Sequence, residues 1–117
     1  MKTYSRVYAR IDLDAIAYNM EQMKQRIDGH TQIMAVIKTD AAVQVAQMLE
    51  KYDYIWGFAV ATLDEAVVLR VEGIQKPILV LGCIFPDQYM EMLDNNIRMN
   101  VYTEDMAKEI ANMARRE

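Results

Sequence analysis

Four short apolar runs begin near residues 33, 56, 78 and 98, at intervals of 23, 22 and 20 residues, and each is followed by a segment with helical spacing. A period of this size holds one strand and one helix. A chain that returns through a helix before its next strand builds a parallel sheet with right-handed crossovers. The expected class is therefore α/β, with the strands as successive βα units. A full eight-unit TIM-type (β/α)8 barrel takes about 250 residues. At 117 residues this chain has room for about four units. It reads as the first half of such a barrel, a single partial barrel domain over residues 1–117.

Local signals fill in the elements. Residues Arg6 to Leu13 alternate, with Val7, Ala9 and Ile11 on one side and Tyr8, Arg10 and Asp12 on the other, which predicts a strand. Asp12 or Asp14 can cap a helix in which Ile16, Met20, Met23 and Ile27 form one stripe, running to about Asp28 and closed by Gly29-His30. The run Ile33-Met34-Ala35-Val36-Ile37-Lys38 predicts a strand buried on both faces. Asp40 is placed to cap a helix with Ala42, Val45, Ala46 and Leu49 inward. Trp56 to Val60 is the next strand. Thr62-Leu63-Asp64-Glu65 has the form of a capping box, and Gly73 suits the end of its helix. Pro77 introduces the strand Ile78 to Leu81. Pro86-Asp87 opens a short helix carrying Tyr89, Met90 and Leu93, and Arg98 to Tyr102 is the fourth strand. Thr103 caps a last helix with Met106, Ile110 and Met113 inward.

Composition narrows the function classes. With a formal net charge of −4, the chain lacks the basic footprint of a nucleic-acid or anionic-membrane binder. No signal sequence or membrane-length apolar run is evident, and one cysteine, Cys83, cannot form an internal disulfide. A cytoplasmic setting is the expectation. His30, the only histidine, falls in a turn, so neither a histidine-based triad nor a histidine metal cluster can be assembled. Asp64, Glu65, Glu104 and Asp105 fall in first helical turns, where carboxylates complement the helix dipole. There is no Gly-rich phosphate loop.

The chemistry that survives rests on Lys38. A lysine closing a parallel strand stands at the carboxyl edge of the sheet, where α/β barrels build their active sites. Such lysines commonly reach back into water. A buried one instead loses its proton readily and becomes an amine nucleophile.

The order of blocks across the whole chain resembles the N-terminal part of the alanine racemases, barrel-type enzymes that use pyridoxal 5′-phosphate (PLP). The resemblance is carried by Ile11-Asp12-Leu13-Asp14-Ala15-Ile16 with Tyr18-Asn19, by Ala35-Val36-Ile37-Lys38, and by Ala59-Val60-Ala61-Thr62-Leu63-Asp64-Glu65-Ala66. Leu69-Arg70, Gly73-Ile74 and Pro77-Ile78-Leu79-Val80-Leu81-Gly82 continue it. It implies that Lys38 is the Schiff-base lysine and one of two proton-transferring groups, and that Val36 and Leu81 line the cofactor pocket. It also implies a small amino-acid substrate, a homodimer, no metal, and a second acid/base tyrosine from a separate β domain. The activity implied is interconversion of L- and D-alanine, which supplies D-alanine for peptidoglycan. A related serine racemase, or a non-catalytic half-barrel that self-associates, is the alternative.

Two departures stand out. In the family a segment ending Tyr-Gly-His-Gly follows the lysine, whereas here Lys38-Thr39-Asp40 runs straight into Ala41-Ala42. The intact surroundings favour a segment present but unseen over a deletion. The family's pyridine-nitrogen arginine, most of its phosphate site and its opposing tyrosine also match nothing up to residue 117.

Overall fold

The computed structural model describes residues 6–38 and 42–116. They belong to two compact units, residues 1–30 and 31–117, where the sequence reads as one.

The first unit holds one helix, α1 (Leu13–Lys24). Asp12 caps it, its Oδ1 accepting the Ala15 backbone N–H at 3.0 Å. The strand expected over Arg6–Leu13 does not form: Leu13 is already helical, and Val7, Tyr8 and Ile11 are exposed. Alternation alone cannot hold a strand without a neighbour to take up its backbone groups, and all four described strands lie in the second unit. The helix also ends four residues before Asp28. There the Arg26 N–H closes a tighter bond to Met23 O, and the Asp28 carboxylate turns the chain by accepting the His30 N–H at 2.9 Å.

In the second unit β1 (Ile33–Val36), β2 (Ile55–Val60), β3 (Ile78–Val80) and β4 (Ile97–Met99) form one parallel sheet in the order of the chain. Between them run α2 (Ala42–Leu49), α3 (Leu63–Val71), a 3-10 turn at Pro86–Gln88 leading into α4 (Tyr89–Asp94), and finally α5 (Glu104–Ala114). Sequential parallel strands with a helix after each are the first half of a (β/α)8 barrel, as the spacing predicts. The Thr62/Glu65 capping box forms, and Thr103 Oγ1 accepts the Met106 N–H at 3.1 Å. Gly73, just past α3, has φ +93°, the left-handed conformation that a glycine adopts freely. Of the short helix's apolar residues Tyr89 and Met92 are buried, and Met90 and Leu93 are half-buried. The Asp40 cap lies outside the described residues. In the sequence Lys38 is followed by Thr39-Asp40-Ala41 and then Ala42.

Register decides which face each strand residue occupies. Phe58 pairs with Ile78 and Ile78 with Ile97, while Val60 pairs with Val80. All five are buried on the face that α2 to α5 cover. Val36, Ala59, Leu79 and Arg98 make the next row, on the opposite face. At the start of β2 a bulge interrupts this alternation: Ile33 pairs with Ile55, but Met34 pairs with Gly57. Trp56 is the extra residue. The bulge leaves Ile55 with the buried row and re-aims the indole.

The amino ends of the strands are stitched together by side chains. Arg70 of α3 donates Nε to Asn95 O (2.9 Å), Nη1 to Ile74 O and Lys76 O (both 2.8 Å), and Nη2 to Asn96 O (3.0 Å). Burial pushes its guanidinium pKa down, against the opposing pull of Glu50. Glu50 in turn accepts the Gln75 and Lys76 backbone N–H groups at 2.6 and 2.9 Å, and Lys76 Nζ reaches Tyr52 O and Ile55 O. Arg70→Leu, which leaves four carbonyls without their donor, should lower stability by about 2–3 kcal/mol in urea unfolding. Arg70→Lys should recover only part of that, because an ammonium cannot span both loops. A loss under about 0.5 kcal/mol for Arg70→Leu would remove Arg70 from this role.

Candidate functional site at the carboxyl edge of the sheet

The ladder continues past the assigned strand ends. Ile37 N–H donates to Ala59 O and Leu81 N–H to Val60 O, each at 2.8 Å. Extending the register by these bonds sets Lys38, Ala61 and Leu81 level, on the same face as Val36. The three residues singled out from the sequence therefore stand on one face at the carboxyl edge, with β2 between Lys38 and Leu81. Val36 is 57% and Leu81 40% exposed, and Lys38 is exposed between them.

That exposure corrects the expectation of a strand buried on both faces. Among the described residues β1 pairs with β2 alone and its other face is open, so from Ile33 to Lys38 just Ile37, on the helix-covered face, is buried. Between Lys38 and Leu81 the floor is made of small residues, Ala59 and Ala61. An amine standing over such a floor, flanked by two uncovered apolar side chains, can take an aldehyde whose flat ring lies against carbon rather than water. The residues present thus fit PLP, with Lys38 to hold its aldehyde carbon and Val36 and Leu81 to wall its ring.

Four further residues on this face escape sequence reasoning. Asn100 Nδ2 donates to Leu81 O at 2.8 Å, and Tyr102 OH donates to Gly82 O at 3.4 Å. Arg98 lays its guanidinium over the Trp56 ring, Cζ to centroid 4.9 Å. This contact spans β3 and fixes Trp56 on the face of Lys38, which strict alternation with Phe58 would deny it. The Asn and Arg positions alternate along β4, and that period is the signal that could have found them.

The other chemistry-bearing residues stay apart from this corner. Glu65 Oε2 is engaged by the backbone N–H groups of Ala61 and Thr62, at 2.7 and 3.3 Å. Cys83 is exposed and unpaired in the turn after β3. Among the described residues no group of histidine, cysteine and carboxylate side chains could hold a metal ion. A mainly apolar cleft lined by Ala42, Val43, Val60, Val68 and Leu69, with Asp64 and Glu65, opens on the helix-covered side, so it belongs to a different face from Lys38.

Comparison with known proteins gives one answer. The family described as "Alanine racemase, N-terminal domain" matches residues 11–117. The chain is 40% identical over 114 residues to alanine racemase 2 of Oceanobacillus iheyensis, covering 92% of this chain and 28% of that protein. It is 43% identical over 113 residues to the alanine racemase of Clostridium tetani, with the same two coverages. Among solved structures, alanine racemase of Clostridium difficile superposes with a TM-score of 0.91 at 34% identity, over 98% of this chain and 31% of that one. A histidine racemase from Leuconostoc mesenteroides superposes at 0.72 with 30% identity, over 85% of this chain and 27% of that one. The chain thus spans less than a third of the length of each of these proteins.

Trp56 is the only tryptophan, which makes the cation–π pair directly readable. Arg98→Met keeps the stem and removes the charge. It should change the intrinsic fluorescence of Trp56 and cost about 0.5–1 kcal/mol. An unchanged emission spectrum would mean that the pair does not persist in solution.

Proposed function

The chain belongs to the alanine racemase N-terminal domain family, and from that membership we propose that it is the lysine-bearing half of a PLP-dependent amino-acid racemase acting on alanine. The observation that carries the proposal is the meeting of Lys38, Val36 and Leu81 on one face at the carboxyl edge of the sheet. Loops at this edge carry the active sites of barrel enzymes.

PLP, when bound, supplies an electron sink that makes the Cα proton of an amino acid removable. The residues of this chain do the rest of one half-reaction. Lys38 Nζ holds the cofactor before substrate arrives, and as a free amine it takes or returns the Cα proton on its own face. Val36 and Leu81 keep water from the ring. Racemisation also needs an acid on the opposite face, a role that none of Lys38, Val36 and Leu81 can fill from where they stand. These residues accordingly supply the lysine side of the site, and the chain acts within a cytoplasmic homodimer or larger assembly. The likeness to a histidine racemase supports a second reading for the substrate alone. The residues described at this corner meet the lysine side of the cofactor, so alanine, serine and histidine would be sorted elsewhere.

Incubation with PLP, borohydride reduction and peptide mapping test the site. Labelling should concentrate on Lys38 and vanish in Lys38→Ala. Labelling spread evenly over surface lysines would overturn the cofactor reading, and D-alanine formed from L-alanine by the chain alone would overturn the half-enzyme reading. In sedimentation over a dilution series the chain should run as a dimer or larger, because the open sheet face and unpaired strand edges seek a partner. A monomer at every concentration would contradict this.

A further inference from the structure

Four contacts converge on the two residues that follow β3. From the β2 side, Leu81 N–H donates to Val60 O at 2.8 Å. Gly82 lies so close to Ala61 that a Cβ there would come within 2.5 Å of the Ala61 carbonyl oxygen. From the β4 side, Asn100 Nδ2 donates to Leu81 O at 2.8 Å and Tyr102 OH to Gly82 O at 3.4 Å. Backbone polar groups at a strand end exposed to water have no need of side-chain partners, since solvent would satisfy them. Here both carbonyls are nonetheless taken by side chains from the neighbouring strand. The segment so held carries an apolar side chain that is 40% exposed and stands on the same sheet face as Lys38.

We propose that Asn100, seconded by Tyr102, is a positioning residue that fixes the Leu81 wall of the cofactor corner. This rests on the reading of Lys38 and Leu81 given above and adds to it a part for β4. Each contact does a separate job. The ladder bond to Val60 sets the height of Leu81 along the strand direction. The close approach of Gly82 to Ala61 stops the turn from moving toward β2. The Asn100 amide fixes the Leu81 peptide plane, and with it the direction of the Cα–Cβ bond. A leucine that could rock about this plane would present a varying surface to the flat ring. One that cannot is ready before the ring arrives, and pre-organisation of this kind improves affinity without adding any contact to the ligand. Asn suits the position because its amide both donates and stays uncharged. An aspartate of the same shape would turn an acceptor toward the Leu81 carbonyl.

Two variants and two measurements test this. Asn100→Leu keeps the approximate shape and removes the donor; Tyr102→Phe removes only the hydroxyl. In residue-resolved hydrogen exchange, the Leu81 amide should exchange about five-fold faster in Asn100→Leu, while the Ile37 amide, bonded to Ala59 on the far side of β2, keeps its wild-type rate. PLP affinity, read from cofactor absorbance, should fall by a similar factor with the urea midpoint near wild type. A purely structural asparagine would instead lower the midpoint and speed both amides together. Tyr102→Phe should move both quantities in the same direction by less, and it decides the matter if Asn100→Leu fails to fold. Asn100→Asp should behave like Asn100→Leu. Wild-type Leu81 exchange together with wild-type PLP affinity in Asn100→Leu overturns the proposal. If wild-type protein is not labelled at Lys38, the cofactor reading fails, and the exchange rates still decide whether Asn100 holds Leu81.

Discussion

One guanidinium holds the amino ends of the βα units in place. Arg70 projects from α3 and binds backbone carbonyls on both the loop into β3 and the loop into β4. A parallel sheet has no hairpins to fix one strand against the next, so register has to come from packing and from the loops. The rigid five-donor fork of arginine supplies that register here, because it grips two loops at set distances from one helix. Glu50 and Lys76 extend the same stitching back to α2 and β2. Ladder hydrogen bonds and the buried row of Phe58, Val60, Ile78, Val80 and Ile97 then build on a register already set.

The two ends of the sheet are accordingly unlike. At the amino end charged side chains are spent on backbone groups and stability. At the carboxyl end the bonds are fewer and end on segments that carry exposed apolar side chains, Val36 and Leu81, beside an exposed amine. This is the division of labour expected of a barrel, with conformational stability below and chemistry above. Small residues are part of the arrangement. Gly57 has no room for a side chain against Pro77 O, and Gly82 none against Ala61 O. The strands approach closely in the middle of the sheet, and the face toward Lys38 keeps a low floor.

The repeat of apolar runs made the class, the strand order and the site edge legible, because a period of about 22 residues leaves a parallel βα array as the simplest outcome. Caps were legible for the same local reason: Asp12, Thr62 and Thr103 each need only a nearby amide. What stayed hidden depends on distant partners. The alternation at Arg6–Leu13 looked like a strand, but no sequence pattern announces whether a neighbour exists. The β2 bulge depends on how Ile33 and Met34 meet β2, so the face of Trp56 could not be read from β2 alone. Arg70 reads as an ordinary last-turn cation on α3, and its carbonyl partners lie 4 to 26 positions away in the chain. Lys38 stood out as a lysine closing an apolar strand, whereas its role and the choice of Val36 and Leu81 came from resemblance. Their meeting on one face needed the register.

Lys38 is exposed because nothing among the described residues covers the sheet face it shares with Val36 and Leu81. A central strand of a parallel sheet is covered on both faces and paired on both sides; β1 is paired with β2 alone. The bond from Ile37 N–H to Ala59 O fixes where the lysine starts, yet nothing in β1 or β2 removes water from its amine. Burial of the amine, the condition under which a lysine turns nucleophilic near neutral pH, must therefore come from whatever covers the face shared by Val36, Ala59, Leu79 and Arg98. Arg98 on the same face already holds its guanidinium over the Trp56 ring, so part of its charge is met within the sheet itself.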